Sequence, residues 1–400
     1  MRKPALFCCI TALLLTGCSN PYQTAQLRSE QEKKYESHSV NVIALSAAAA
    51  ESGSKYTLSD IRNLLDFLLA KTASQELAGK DYDLDGNHRW DSADLALMKR
   101  KMLGDSVDDG LPVVYMTKDI SPDGLMNAYL ALGWEPQGKT AVKLSTGEPP
   151  ASNYLRPELI RDLVQYVDGT IVECNTAYGG KRTTTAMHYQ VAEDHGFTGI
   201  ADFQILDENG SMSLPIANGR VLSEDLVGAA FADYDSYLIL SHFKGHAMAG
   251  YGGAIKNISI GLGSKEGKCL IHTGGKSRSS MWGGDQTAFT ESMAEAGKGV
   301  SDYLGNGKNI TYVNVMNRLS VDCDCDGNPA EPDLHDIGIL SSSDPVALDQ
   351  ACIDLVYEQR YGDGRSLVSR IASKDGLHTL EHAEEIGLGS RQYHLVMLDE

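Results

Sequence analysis

The densest chemistry in the chain lies between residues 241 and 257, where Ser241-His242-Phe243-Lys244-Gly245-His246 runs into Ala247-Met248-Ala249-Gly250-Tyr251-Gly252-Gly253-Ala254-Ile255-Lys256-Asn257. Two imidazoles and two lysines in so short a stretch do not make a core. They suit acid–base work or an anionic ligand. His272, just after Lys265-Glu266-Gly267-Lys268, is a third imidazole that could join them. His242, Lys244, His246, Lys256 and His272 are therefore the candidate catalytic residues. Gly252 and Gly253 would let the backbone approach a bound group, with Asn257 beside them, and the segment leading to Ile258 could begin a helix whose N-terminus attracts an anion.

A second cluster is Asp322-Cys323-Asp324-Cys325-Asp326-Gly327. Two thiols one residue apart are awkward for a disulfide because so small a ring strains the bond, yet along an extended chain they point to one side and can share a soft metal. Three aspartates around them would raise the thiol pKa unless a cation neutralises the group, so Cys323 and Cys325 are candidate ligands for iron or zinc. Cys174 and Cys352 lie in a strand-like and a helix-like run and read as buried small hydrophobes.

A third cluster, Asp83-Leu84-Asp85-Gly86-Asn87-His88-Arg89-Trp90-Asp91-Ser92-Ala93-Asp94, has the oxygen spacing of a calcium loop. Side chains of Asp83, Asp85, Asn87, Asp91 and Asp94 with the Arg89 carbonyl supply the six or more oxygens a hard cation takes. Trp90 is an apolar pin, and a helix is expected straight after Asp94. His88 stands where such loops usually have Gly, and His tolerates positive φ less well.

The elements that must position these residues follow from periodicity. Ile61, Leu64, Leu68 and Leu69 recur in the same order as Leu95, Met98, Met102 and Leu103, with Asp60 matching Asp94 and Tyr56 matching Trp90, an internal duplication of a loop-helix unit. Beyond it, short apolar or β-branched runs at Val113–Met116, Ala141–Leu144, Thr170–Cys174, Tyr237–Leu240, Ile310–Val315 and Gly338–Leu340 alternate with amphipathic stretches such as Pro157–Val167, Thr184–His195 and Val346–Tyr357. That alternation predicts a large α/β domain with a mostly parallel sheet, in one or two lobes, preceded by a small all-α EF-hand-like module. His242 should emerge at the C-terminal end of a strand, where open α/β sheets place their ligands. Asp344, before Pro345, should cap the following helix.

The chain opens with Arg2 and Lys3, then an apolar run from Ala5 to Leu15 too short to span a bilayer, then Leu15-Thr16-Gly17-Cys18. This reads as a secretory signal over residues 1–18. Residues 19–51 read as a flexible tether, 52–104 as the duplicated module, 105–111 as a linker and 112–400 as the α/β domain. With 54 acidic against 35 basic residues the formal charge is −19, which leaves nucleic acid without an attractive surface and favours divalent cations. Aromatic residues at 7%, with 3 Trp, argue against an extended sugar-stacking cleft.

Three resemblances extend these readings. The run around Cys18 resembles the lipobox of bacterial lipoproteins, which implies lipid at Cys18 and a membrane-anchored protein at the cell surface. Residues 52–104 resemble type I dockerin modules, which implies calcium and, as partner, the cohesin domain of a scaffoldin in polysaccharide degradation; the first copy departs, with Ala49, Glu51, Gly53 and Thr57 at its ligand positions. Phe243–Asn257, Gly267–His272, Asp322–Cys325 and Ile337–Asp349 resemble, in order, domain of unknown function 362, a family described broadly as iron–sulfur-centre proteins, over about residues 112–398. An iron–sulfur cluster is implied, but with no Cys between His272 and Cys323 only Cys323, Cys325 and Cys269 remain to bind it. The expected function is a metal-dependent or redox protein anchored outside the cytoplasm. The alternatives are an accessory carbohydrate-active hydrolase of a scaffold complex, using Asp pairs among 322/324/326 and 333/336, and a non-catalytic attachment protein.

Overall fold

A computed structural model describes residues 110–359 and 364–399, the strand Asn41–Ala44 and scattered positions between 56 and 98. Cys18 lies outside the described residues, as do Asp85, Asn87, Arg89 and Asp91 of the calcium loop. No described helix is long and apolar enough to cross a membrane.

Strands β1 (Asn41–Ala44), β2 (Val113–Thr117), β3 (Thr140–Lys143), β4 (Gly169–Glu173) and β5 (Phe203–Ile205) belong to one sheet. A separate hairpin, β6 (Ser211–Pro215) and β7 (Glu224–Gly228), follows. The sheet resumes with β8 (Ser236–His242), leaves it for the small ribbon β9 (Lys244–His246) and β10 (Gly250–Gly252), and closes with β11 (Ile310–Met316), β12 (Gly338–Ser342) and β13 (His394–Met397). Its 9 strands run in the order β1-β13-β2-β12-β11-β8-β3-β4-β5. Every pairing is parallel except those of β12, which is antiparallel to both β11 and β2. The fold is thus the large, mostly parallel α/β domain the alternation predicts. Asn41–Ala44, expected in the flexible tether, instead extends the sheet by pairing with β13.

The strands read as continuous apolar runs because helices cover both faces. In β8, Tyr237 and Ile239 point to one core while Leu238 and Leu240 point to the other. The second core takes α1 (Pro122–Leu130) and α2 (Pro157–Tyr166), with Ala192 from α3 (Thr185–Asp194). The first takes residues of α5 (Gln286–Tyr303), α6 (Pro345–Glu358), α7 (Arg365–Ser373) and α8 (Leu377–Glu385); α4 (Lys265–His272) lies beside β7. Asp344 caps α6 as expected, its Oδ1 accepting from the Val346 and Ala347 amides at 2.8 and 3.0 Å.

One topological feature places the site. From β3 the chain proceeds outward through β4 to β5, then returns to β8 on the other flank of β3 and moves on to β11. The order therefore reverses between β3 and β8, and the crevice beyond their C-terminal ends is where such sheets bind ligands.

Candidate active site

Lys143, Glu173 and His242 are the last residues of β3, β4 and β8, so three neighbouring parallel strands each deliver a titratable group to one edge. Asn257 bridges the reversal. Its Nδ2 donates to the Lys143 carbonyl at 3.2 Å, the Leu240 carbonyl at 3.4 Å and Ser241 Oγ at 3.0 Å, and its Oδ1 accepts from Lys143 Nζ at 3.0 Å. Lys143 also donates to Glu173 Oε2 at 3.0 Å, and Arg182 reaches Glu173 at 3.4 Å and Glu148 at 3.2 Å. Burial by itself would raise the Glu173 carboxyl, but Lys143, His188 and Arg182 hold it at about 2.

Asp324 organises the second half. Its Oδ1 takes His242 Nδ1 at 2.8 Å and its Oδ2 takes Lys244 Nζ at 2.8 Å, all three side chains being buried. Burial again opposes the charge, yet Lys244 and His242 keep this carboxyl far below the ordinary carboxylate range. His242 Nε2 donates to the Asn317 carbonyl at 2.7 Å. With both ring nitrogens committed, His242 has none left for a metal or a substrate. It and Lys244 hold the 320s loop in place from beneath.

Above this layer lies a chamber of about 270 Å³, lined by His246, Lys256, Asn257 and His272 of the expected set together with Cys325. Gly245 sets the close approach of β9 to the cysteine loop: a Cβ there would stand 2.1 Å from the Val321 carbonyl oxygen. The result is that a His246 ring nitrogen and the Cys323 and Cys325 sulfurs all lie within 4.8 Å of one another.

Several expectations are corrected here. Cys323 and Cys325 are bonded to each other as a disulfide rather than standing as a free pair. The 320s loop turns between them, with the Asp326 amide bonded to the Cys323 carbonyl, so the short ring closes where an extended chain would have kept the sulfurs apart. Cys269 is buried on α4 and takes no part in the His246 group. Gly253 makes room for Asp349, not for a ligand, since a Cβ there would lie 2.3 Å from Asp349 Oδ1. Neither Gly252 nor Gly253 is among the residues lining the chamber. The expected anion-attracting helix start is filled by the same side chain: Asp349 accepts from the Ala254 amide at 2.7 Å and the Ile255 amide at 3.0 Å.

The two imidazoles in the chamber have opposite polarity. His246 Nδ1 accepts from the Ala249 amide at 3.0 Å, which leaves the ring proton on Nε2. Burial, then Lys256, His272 and Lys244, keep this ring well below the usual histidine pKa, so it is a neutral donor. His272 Nδ1 instead donates to the Lys268 carbonyl at 2.6 Å, which leaves a lone pair on Nε2; burial lowers its pKa to about 4. Lys256 is lowered to about 7 by burial and then by Lys244, against the pull of Asp324.

These atoms also test the metal reading. Bonded together, the sulfurs are not thiolates and hold no metal. Reduced, they offer two soft donors beside an imidazole, a set suited to iron or zinc with an open position. His246 would then have to surrender its Nε2 proton, because a ligating imidazole keeps a lone pair for the metal and donates from its other nitrogen. The donors therefore fit a soft metal only in the reduced form.

Lys143, Glu173, Arg182 and Lys268 were not among the candidates. A signal for the first two exists, a lysine and a glutamate each interrupting an apolar run at the same end of neighbouring strands. None marks Arg182, which comes from the loop before α3.

Fold and site together define an α/β domain with a buried, titratable chamber at a topological switch point. The family described as Domain of unknown function (DUF362) matches residues 140–354, more than half of the 400 residues, and the chain belongs to it. Among solved structures, the lactate racemase apoprotein from Thermoanaerobacterium thermosaccharolyticum is similar at 14% identity and a TM-score of 0.37, over 62% of this chain. This chain spans 57% of that one, and the likeness is too distant to carry an argument. No curated protein matches.

Proposed function

We propose that the chain is a lipid-anchored extracytoplasmic protein whose DUF362 domain is a redox enzyme built on Cys323 and Cys325. The observation that carries this is the placement of the bonded pair at the wall of the chamber, with Cys325 lining it and a His246 ring nitrogen within 4.8 Å of both sulfurs. The oxidised pair exchanges with a dithiol donor: one donor thiolate attacks a sulfur of the Cys323–Cys325 bond and displaces the other as thiolate, the donor's second thiol then closes the donor's own disulfide, and Cys323 and Cys325 are left as two thiols. His246, a neutral donor at Nε2, stands beside the sulfurs and can supply a proton to the departing thiolate. In the reduced state Cys323, Cys325 and one imidazole would hold iron or zinc, which supplies Lewis-acid or electron-transfer chemistry.

Thiol titration of the denatured full chain with and without prior reduction tests this, alongside metal analysis of protein purified with reductant. Reduction should expose two additional thiols in the wild type and none in a Cys323→Ser, Cys325→Ser double variant, and iron or zinc should accompany only reduced wild type. A thiol count unchanged by reduction, with no iron or zinc bound, overturns the proposal.

The hydrolase alternative finds no support in the site. Asp324 is paired with His242 and Lys244, Asp322 with Arg370 at 3.4 Å, Asp326 with the Asn328 amide at 2.8 Å, Asp333 with Ser366 at 2.6 Å and Asp336 with the Arg318 amide at 2.6 Å. None of them lines the chamber.

The N-terminal part of the proposal is a single calcium site at Asp83–Asp94 in a dockerin-like module that docks a cohesin, with lipid at Cys18. Its support is the oxygen spacing, the 2.6 Å bond from the Leu84 amide to Asp94 Oδ1, and the edge-on packing of Trp90 on Phe67 and Tyr82 at 5.2 and 5.3 Å.

A further inference from the structure

The chamber has two kinds of wall. Four cationic side chains, Lys143, Arg182, Lys256 and Lys268, line it against a single carboxylate, Glu173, so its charge is opposite to that of the chain as a whole. Most of these cations are already used. Lys143 is held by Glu173 and Asn257, Arg182 by Glu148 and Glu173, and Lys268 by the Gly263 carbonyl. Lys256 differs: among the described residues its Nζ has no carboxylate or carbonyl within bonding distance. Next to it, Lys244 is neutralised by Asp324.

Part of the lining is apolar. Met248 and Met281 contribute to it, and Trp282 lines the chamber while 71% exposed, although an indole of that size is ordinarily well buried. Flexible thioethers and an exposed ring accommodate an apolar body without demanding one shape. A lysine amine that lines a chamber without a partner is, in turn, a place where an anion binds with a charge-assisted hydrogen bond.

We infer that the chamber binds a small organic anion, a carboxylate or phosphate monoester with an apolar body, its head group on Lys256 Nζ and its body against Met248, Met281 and Trp282. His246, through its Nε2 proton, gives the head group a second, uncharged donor. The inference deepens the proposed function, resting on it only in taking this chamber as the working site.

Calorimetry of the full chain with benzoate, phenyl phosphate and the neutral analogue benzyl alcohol tests it. At least one of the two anions should bind about tenfold or more tightly than benzyl alcohol, the factor a charge-assisted hydrogen bond confers. Lys256→Met should remove that preference, Lys256→Arg should keep it, and Trp282→Ala should weaken all the ligands alike. Circular dichroism melting of each variant shows that the fold is retained. Equal binding of anions by wild type and Lys256→Met, no preference over benzyl alcohol in the wild type, or no binding of either anion at millimolar concentration overturns the inference. Cys323→Ser, at a residue that does not line the chamber, separates the two claims: it loses the redox couple, yet should bind the anion as the wild type does.

Discussion

Asp324 is a buried carboxylate held by the Lys244 ammonium and the His242 ring, and removing its charge strands the ammonium. Replacing one member of such a group costs more than the group contributes as a whole, because the remaining charges stay desolvated. Asp324→Asn should therefore destabilise the domain by about 3–5 kcal/mol, read as a lower urea midpoint at unchanged slope. Glu173 makes the pH dependence explicit. Its folded pKa lies below the ordinary value of 4.5, so the stability it contributes is complete above that value and drains away as pH falls toward about 2. Below about pH 4.5 the urea midpoint should drop as pH falls, and the drop should be shallower in Glu173→Gln. A midpoint that rises on acidification would contradict this assignment.

At the scale of elements, the site depends on two close approaches. Ribbon β9–β10 touches the cysteine loop at Gly245, and the helical turn after β10 touches α6 at Gly253. A methyl group at Gly245 would meet backbone, which cannot swing aside as a flexible side chain can. Gly245→Ala should cost about 1–3 kcal/mol or more, and should separate His246 from the sulfurs, so that reduced protein no longer binds iron or zinc. Retention of full stability and metal binding would mean the contact is not needed. The Asp344 cap on α6 is a milder case. Asp344→Ala should cost about 1 kcal/mol in urea unfolding, the usual value of an N-cap, and leave anion binding in the chamber untouched.

At the scale of the molecule, net charge is a poor guide to the site. A formal charge of −19 points to cations, yet the chamber presents four basic side chains and one carboxylate, because a handful of groups is invisible in a sum over 54 acidic and 35 basic residues. The N-terminal proposals also belong to this scale. Calcium titration of the full chain should show one site, lost in Asp85→Ala or Asp91→Ala, while iron or zinc binding in the reduced large domain persists. Membrane fractionation of Cys18→Ala should release the protein; unchanged retention would remove the lipid from the account.

The sequence by itself determined six strands of the main sheet, β2, β3, β4, β8, β11 and β12, the helices α2, α3 and α6, and where α6 begins, and it singled out residues 241–257 as candidates. Those are local matters of periodicity, capping and residue type, decided within a turn or two of chain. It also marked the cysteine motif, although not the bond between the sulfurs. Only the tertiary structure decided which polar groups face the chamber and which support it. Lys143 meets Asn257 across 114 residues, and Arg182 donates to the Asp324 carbonyl across 142. Those pairings arise because the chain reverses its strand order between β3 and β8, an arrangement with no local signature. The same holds for the antiparallel setting of β12, and for the division of two similar histidines. His242 is locked beneath the site and His246 opened to it by the Asn317 carbonyl, Asp324 and the Ala249 amide, none of which their own spacing reveals.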